Sequence, residues 1–308
     1  MNKFENHAGI NITRSVFQVA EMGYDGDVYK LVNLNEAKFS QPVDFSTNKD
    51  PFISAQLQSA YDSINLKKIV SSRNASFTLP LDTFLSFQVP FENSLLHSDQ
   101  IEEFRWELSV LYPHIPADEL VIQYYEIEKN MLVTKNTALV LALPRRYINL
   151  LNKFCQNNSL NLKFIDHPHF AAHRAVHFSN DNDSNGLSLS LYISKRNLSL
   201  FFLVDGNPVY SRLFPYQEFS EIVKMIGDQL NPATNKNINK DLISNAYICG
   251  EDVPDELIAY LKNILKINFK KFNPFSKIKP GAGMAENIFY RQKFNSFASA
   301  AGISYRIA

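Results

Sequence analysis

The sequence predicts an α/β protein folded as two halves, the first interrupted by a smaller inserted unit. Three stretches carry that prediction. Between Gly186 and Arg212, two alternating apolar runs of strand length flank the polar turn Ser194-Lys195-Arg196-Asn197. Asp205-Gly206-Asn207-Pro208 then supplies a second turn before Val209-Tyr210-Ser211-Arg212, which together is the pattern of an antiparallel ladder. Residues 9–80 read strand-strand-strand-helix-strand. Between Phe84 and Ile165 the order is strand-helix-strand-strand-helix-strand, a complete split βαβ unit.

Each element has a local reason. Gly9-Ile10-Asn11-Ile12 and Ser15-Val16-Phe17-Gln18-Val19 are strands around a Thr13-Arg14 turn, and Val28–Leu34 follows Asp25-Gly26 as a third. Pro51–Ile64 has helical spacing through Phe52, Ile53, Leu57, Ala60, Tyr61 and Ile64, with Asp50-Pro51 as cap and first helical residue. Ala75–Pro80 closes the first set as a strand. In the inserted stretch the strands are Phe84–Phe91, Leu120–Ile127, Thr137–Leu143 and Leu160–Ile165. Its helices are one with apolar face Ile101, Phe104, Leu108 and Leu111, and one opened by Pro144 and carrying Tyr147, Ile148, Leu151, Phe154 and Cys155. The polar run Asn180–Asn185 sets the boundary, giving halves 1–180 and 181–308 with 84–165 inserted in the first. After the ladder come a helix at Glu218–Leu230, an asparagine-rich connector at Asn231–Asn239 and a strand at Ala246–Cys249. A helix at Pro254–Leu265, a strand at Ile267–Phe272 and a terminal helix containing Phe294–Ile303 follow.

Composition narrows the function. With 308 residues, 45% apolar and 20% charged, the chain can bury two substantial cores. Its 31 basic and 31 acidic residues cancel, so it lacks the basic excess of a general nucleic-acid binder. Lys262–Lys271 is locally basic, but its lysines alternate with Ile, Leu and Phe, as on a solvated face. No signal-length or membrane-spanning apolar run is seen, so the expectation is a soluble, cytoplasmic chain that reaches a membrane only through a partner. Cys155 and Cys249 stand in apolar contexts and read as buried thiols of a reducing compartment. Glycine is scarce, 10 in all, about half the usual ~7%, and phosphate-cradling loops need glycine for close backbone approach.

Taken in this order, the chain resembles the PilM-type actin-like proteins of type IV pilus assembly, relatives of FtsA and of the cytoplasmic domain of GspL. The resemblance spans nearly the whole length. It rests on Asp205-Gly206-Asn207-Pro208-Val209-Tyr210-Ser211-Arg212, on Asn273-Pro274-Phe275, on Phe297-Ala298-Ser299-Ala300-Ala301-Gly302-Ile303-Ser304-Tyr305-Arg306, and on Leu111-Tyr112-Pro113-His114-Ile115-Pro116 within the inserted unit. It implies an actin-like (ribonuclease H-like) two-half fold with an inserted split βαβ subdomain, a reduced outer subdomain in the second half, and a terminal helix returning to the first. The family's phosphate loop, Gly-Ile-Asp-Ile-Gly, keeps Gly9 here but has Asn11 for the aspartate and Thr13 for the glycine. The second loop becomes Tyr192-Ile193-Ser194, and the paired glycines after a later strand reduce to Gly250 followed by Glu251. An asparagine cannot hold a metal-bound water with full negative charge, and a carboxylate repels phosphate. Gly9, Asn11, Thr13, Ser194 and Gly250 therefore mark a degenerate nucleotide site, and no cofactor is expected.

Other chemistry is weak. His169, His173 and His177 share one helix face, with His167 just before them, but Asp166 is the only close acid, so packing or capping histidines are favoured over zinc. No Gly-x-Ser-x-Gly occurs. Gly281-Ala282-Gly283 reads as a turn rather than an anion cup, and Arg145-Arg146 as solvated. The leading expectation is a non-catalytic scaffold whose groove, between Gly9–Ala20 and the inserted strands near Val89 and Phe91, takes the short tail of an inner-membrane partner. An active actin-like ATPase or kinase is the alternative, and a metal enzyme on the histidine segment a distant third.

Overall fold

A computed structural model describes residues 6–25, 28–66, 70–179, 186–231, 238 and 240–307. The linker expected at 180–185 and most of the connector at 231–239 fall outside them.

In the first half, β1 (His7–Ile12), β2 (Val16–Asp25) and β3 (Val28–Lys38) form an antiparallel ladder. Strand β4 (Asn74–Thr78) runs parallel to β1 on the other side. Every residue of β1 is buried, as a central strand covered on both faces must be. Helix α1 (Asp50–Ser63) buries Ile53, Leu57, Ala60 and Tyr61, one face at helical spacing. It begins at Asp50 with proline in its first turn, as expected, but Asp50 does not cap it. The carboxylate instead accepts a hydrogen bond from Arg146 Nε at 2.6 Å.

The inserted unit is smaller than 84–165. Strands β5 (Leu85–Pro90), β6 (Leu120–Ile127) and β7 (Thr137–Pro144) form a separate antiparallel sheet in the order β5-β7-β6, with helix α2 (His97–Leu111) on one face. Phe104 covers Ala138 and Val140, and Leu108 covers Leu120 and Ala142. The other face is already taken: Tyr125 stacks on Phe170 with ring centres 4.5 Å apart, and Ile127, Leu139 and Leu141 join the core of the second half. No face remains for a second helix. Helix α3 (Arg145–Asn157) therefore turns its apolar stripe onto the first half, where Phe154 meets Phe17, Tyr61 and Phe77 edge-on. Strand β8 (Asn161–Asp166) then pairs with β4 and becomes an edge of the main sheet.

Helix α4 (Pro168–Ser179) leads to the second half. There β9 (Leu187–Ile193), β10 (Asn197–Val204) and β11 (Asn207–Pro215) make the predicted ladder. Helix α5 (Phe219–Gln229), strand β12 (Ile243–Gly250) parallel to β9, helix α6 (Asp255–Leu265) and strand β13 (Lys270–Lys271) follow, giving the order β11-β10-β9-β12-β13. The strand expected over Ile267–Phe272 is only β13 (Lys270–Lys271), because Ile267 and Phe269 turn into the core. The chain then re-enters the first sheet: β14 (Lys279–Pro280) pairs with β3, and Gly281 N donates to Leu31 O at 2.8 Å, so Gly281-Ala282-Gly283 is the turn that leaves this edge. Asn287 caps α7 (Ile288–Gln292), its Oδ1 accepting from the amides of Phe289 and Tyr290. The expected terminal helix is a 3-10 turn, Phe294–Phe297, followed by α8 (Ala298–Ser304). Small residues let α8 lie directly on β1 and against α4.

Candidate functional site

The two halves meet where the β1–β2 turn faces the β9–β10 turn. Thr13 Oγ1 accepts from the amides of Ser15 at 3.1 Å and Val16 at 3.0 Å. Ser194 Oγ accepts from Asn197 N at 3.1 Å and donates to Asn197 O at 3.0 Å. In both turns the hydroxyl standing where a glycine was expected satisfies the turn's own backbone, a local competition that short polar side chains win readily.

Beneath the first turn lies a closed polar chain. Asn11 Nδ2 donates to Gln18 Oε1 at 2.8 Å, while Thr78 Oγ1 donates to Asn11 Oδ1 at 2.8 Å. Gln18 Nε2 donates onward to Glu36 at 2.9 Å and Ser296 at 3.1 Å, and Lys293 pairs with Glu36 at 3.0 Å. The Tyr192 ring is buried, with its hydroxyl close to the side chains of Ser299 and Asn11. Burial, reinforced by the charge of Glu251, pushes this phenol far above its ordinary pKa despite those polar neighbours. Tyr192 is therefore a neutral bolt reaching from the second half to the first.

Gly250 sits at φ +127°, and a Cβ there would stand 2.0 Å from Ile193 O. Its glycine serves the close approach of β12 to β9. Glu251 N donates to the same carbonyl at 2.7 Å. The Glu251 side chain crosses the cleft toward Thr13, and its Oε2 is buried without a hydrogen-bond partner. Burial raises its pKa to about 7, against the opposing charge of Lys195 and the hydrogen bond with Thr13. A cavity of about 230 Å³ beside it is lined by Ser15, Gln18, Glu36, Lys195, Glu251 and Lys293, among others, below the ~300–1,000 Å³ usual for small-molecule sites.

A carboxyl whose folded pKa is raised binds its proton more tightly folded than unfolded, so its stabilising contribution is present at low pH and lost as pH rises through the folded value near 7. Glu251→Gln removes that dependence. Between about pH 5 and about pH 8, chemical denaturation should show wild type losing roughly 1–3 kcal/mol relative to E251Q. Parallel pH profiles would place the Glu251 carboxylate in water.

The remaining expected residues are dispersed. Gly9 does not face the cleft: its Cβ position is 1.9 Å from Ala300 O, so it is the seat of α8. Phe91 is core of the inserted unit with Phe104. Val89, on β5, lines a groove toward Tyr210 and Arg212 of β11. Strands β1 and β2 are interior to their sheet, with both backbone edges paired. A groove between the inserted unit and the first half lies along β8. It encloses about 270 Å³, lined by Val121, Leu143, Ile148, Leu162, His167 and Arg306, among others. Asp166 at its end is held by Arg174 and Arg306, each at 3.2 Å.

The histidines do not converge. His169 stacks on Phe201 at 3.7 Å between Ser199 and Ser190, and His173 Nε2 donates to Gly206 O at 2.8 Å. Burial lowers His167 to about 3, and the side chain of His177 lies outside the described residues. Among the described residues no group of three or more His, Cys, Asp or Glu side chains is placed to hold a metal. Cys155 and Cys249 are buried, and burial pushes both thiols up to about 12, which leaves them unreactive. Arg146, read as solvated, is fastened to Asp50 and to Asn48 O.

No family model matches the chain, and no curated protein matches it in sequence. Solved structures do. The chain is similar to that of a PilM-PilN type IV pilus biogenesis complex, with TM-score 0.70, 16% identity and 99% of each chain covered. It is similar to a protein with actin-like ATPase fold from Bacteroides thetaiotaomicron, with TM-score 0.56, 13% identity, and 87% of this chain and 91% of that one covered. The ethanolamine utilization protein EutJ from Carboxydothermus hydrogenoformans follows at TM-score 0.50 and 8% identity, covering 98% and 91%. Two mixed sheets joined across the contact between halves, a three-stranded sheet inserted in the first half, and the likeness to these structures give the chain an actin-like α/β fold.

Proposed function

We propose that the chain is a non-catalytic actin-like scaffold that binds a short tail of a membrane protein in a pilus- or secretion-type assembly. The observation that carries this reading is the filled cleft. Tyr192 occupies the position between the halves, and Thr13 and Ser194 take the turn amides that would otherwise be offered to phosphate. A nucleoside triphosphate with its metal fits these residues poorly. Asn11 is spent on Gln18 and Thr78, and the buried carboxyl of Glu251 stands where phosphate charge would have to enter.

The partner half of the reading is supported by the groove along β8. Among the described residues strand β8 has β4 on one side only, leaving an edge of backbone donors and acceptors beside the apolar side chains of Val121, Leu143 and Ile148. An extended segment adding to that edge would gain main-chain hydrogen bonds, with side-chain pockets choosing its sequence. Among the described residues no helix is long and apolar enough to cross a membrane, which suits attachment through a partner. The similar PilM-PilN structure is itself a complex of a type IV pilus system.

Thermal unfolding with magnesium and ATP tests the reading. A ligand at 100 times its Kd stabilises by about 2.7 kcal/mol, so a working site would raise the melting temperature clearly at millimolar ATP. The expected result is no shift and no phosphate release. Saturable stabilisation accompanied by hydrolysis overturns the scaffold reading in favour of an ATPase.

A further inference from the structure

The groove along β8 is apolar on its walls but carries charge at its end. Among the described residues, Lys163 and Asp166 of β8 and Arg306 from the turn after α8 are the charged side chains that line it. His167 adds no charge, since burial lowers its pKa to about 3. Asp166 spends both oxygens inside the protein. Its Oδ1 accepts from His167 N at 2.9 Å, and its Oδ2 accepts from Arg174 and from Arg306, each at 3.2 Å. One carboxylate thus faces two guanidinium groups, and a positive charge is left over.

The surplus sits on Arg306. Arg174 gives both terminal nitrogens to Asp166, and Nη1 also reaches Gly302 O at 3.5 Å. Arg306 gives Asp166 only Nη1, and its Nε and Nη2 donate to no acceptor among the described residues. Its guanidinium lies over the ring of Phe164, 4.3 Å from the centre, and the side chain stays 25% exposed. Stacking of this kind fixes the plane of the fork without using its N–H groups. Lys163, exposed on the same wall, makes no ion pair among the described residues. Arg174 alone would neutralise Asp166, so the open side of Arg306 is not accounted for by folding.

We infer that the groove selects an extended segment carrying an Asp or Glu, whose carboxylate takes the open side of the Arg306 fork while neighbouring apolar residues pack on Val121, Leu143 and Ile148. The inference rests on the scaffold reading and adds to it the charge of the segment. Charge complementarity chooses the occupant. Lys163 and Arg306 would repel a basic segment, and a wholly apolar one would cover the fork's donors without giving them acceptors. A guanidinium fork takes a carboxylate through two parallel bonds in one plane. Arg306 therefore also sets the register in which the segment can add to β8, since a slip of one residue would turn the acid away.

Selection from a display library of random heptapeptides, held between fixed flanking sequences, against the immobilised full chain tests this. Binders lost on V121K are those of the groove. Among them Asp or Glu should dominate one position, next to apolar residues. A selected peptide and its Glu→Gln counterpart, compared by fluorescence anisotropy, should differ about tenfold or more in Kd, as a charge-assisted pair does. R306Q should bind both peptides alike, at the weaker value. R306K, which keeps the charge but not the fork, should recover only part of the difference. K163E, at an exposed position, should weaken the acidic peptide and spare its counterpart. The unfolding midpoint of each variant separates lost binding from lost fold, and Asp166 keeps Arg174 in all of them. Groove binders without an acidic position, or a Glu→Gln effect that persists in R306Q, overturn the inference and leave the scaffold reading standing. A library that yields no binder sensitive to V121K removes the groove from the scaffold reading, and the inference with it.

Discussion

Gly302→Ala should destabilise the protein by about 3 kcal/mol or more, at the upper end of what a single added methyl costs in a packed interior. The added carbon would lie 1.7 Å from the Ala171 carbonyl oxygen, an atom of the α4 backbone that cannot step aside as a side-chain tip would. Gly9→Ala should cost a similar amount, its methyl 1.9 Å from Ala300 O. These two glycines hold opposite sides of α8 against β1 and α4, so each substitution lifts the same helix. Combined, their costs should not simply add, because both act on the position of the same helix. Gly227→Ala is the control. It lies inside α5 with its nearest outside neighbour, Leu265 Cδ2, at an ordinary 3.7 Å, so it should stabilise by about 0.5–1 kcal/mol through helix propensity. Urea unfolding of the three variants checks the set. Equal effects at all three positions would mean that α8 does not pack as described.

The second large effect concerns the groove. Val121→Lys and Ile148→Lys place an ammonium group on apolar walls beside the free edge of β8, where a docked tail would have to desolvate it. Capture of a membrane-protein tail should fall at least about tenfold, or 1.4 kcal/mol, with the unfolding midpoint little changed because both side chains are only partly buried. Val89→Lys should leave capture as in wild type, since Val89 faces β11 across the inserted unit. Photo-crosslinking groups at positions 121 and 89, applied to native membranes, separate the outcomes. Crosslinks to a tail from position 89 and none from 121 would move the binding site to the other groove.

Most of the fold was legible because its strands and helices carry local patterns. The β9–β10–β11 ladder and the stripes of α1, α3 and α6 come directly from apolar spacing. What was not legible is pairing. Asn161–Asp166 alternates equally well as a strand of the inserted sheet or of the main one, and only the competition for α3's apolar face sends it to β4. With β8 assigned to the inserted sheet, the cavity beside it, lined by Ile148, Leu162 and His167, could not be foreseen. Gly9 shows a second kind of ambiguity. Close backbone approach calls for glycine whether the neighbour is a phosphate or a helix, and sequence spacing does not distinguish the two. Tyr192 was visible as a lost aspartate, but its reach to Asn11 and Ser299 depends on how the halves meet.

The terminal helix has a consequence for how the chain comes to be folded. Strand β1 precedes its cover, α8, by the length of every other sheet strand, so all of these must be made before the contact between Gly9 and Ala300 can form. Until then the nascent first half presents bare backbone where α8 will lie, with Ala20, Met22 and Leu34 of the same core unsheltered. Closing so long a loop is slow rather than thermodynamically prohibitive. The emerging first half is thus open to chaperones and proteases until α8 follows it, and that one contact closes the sheet.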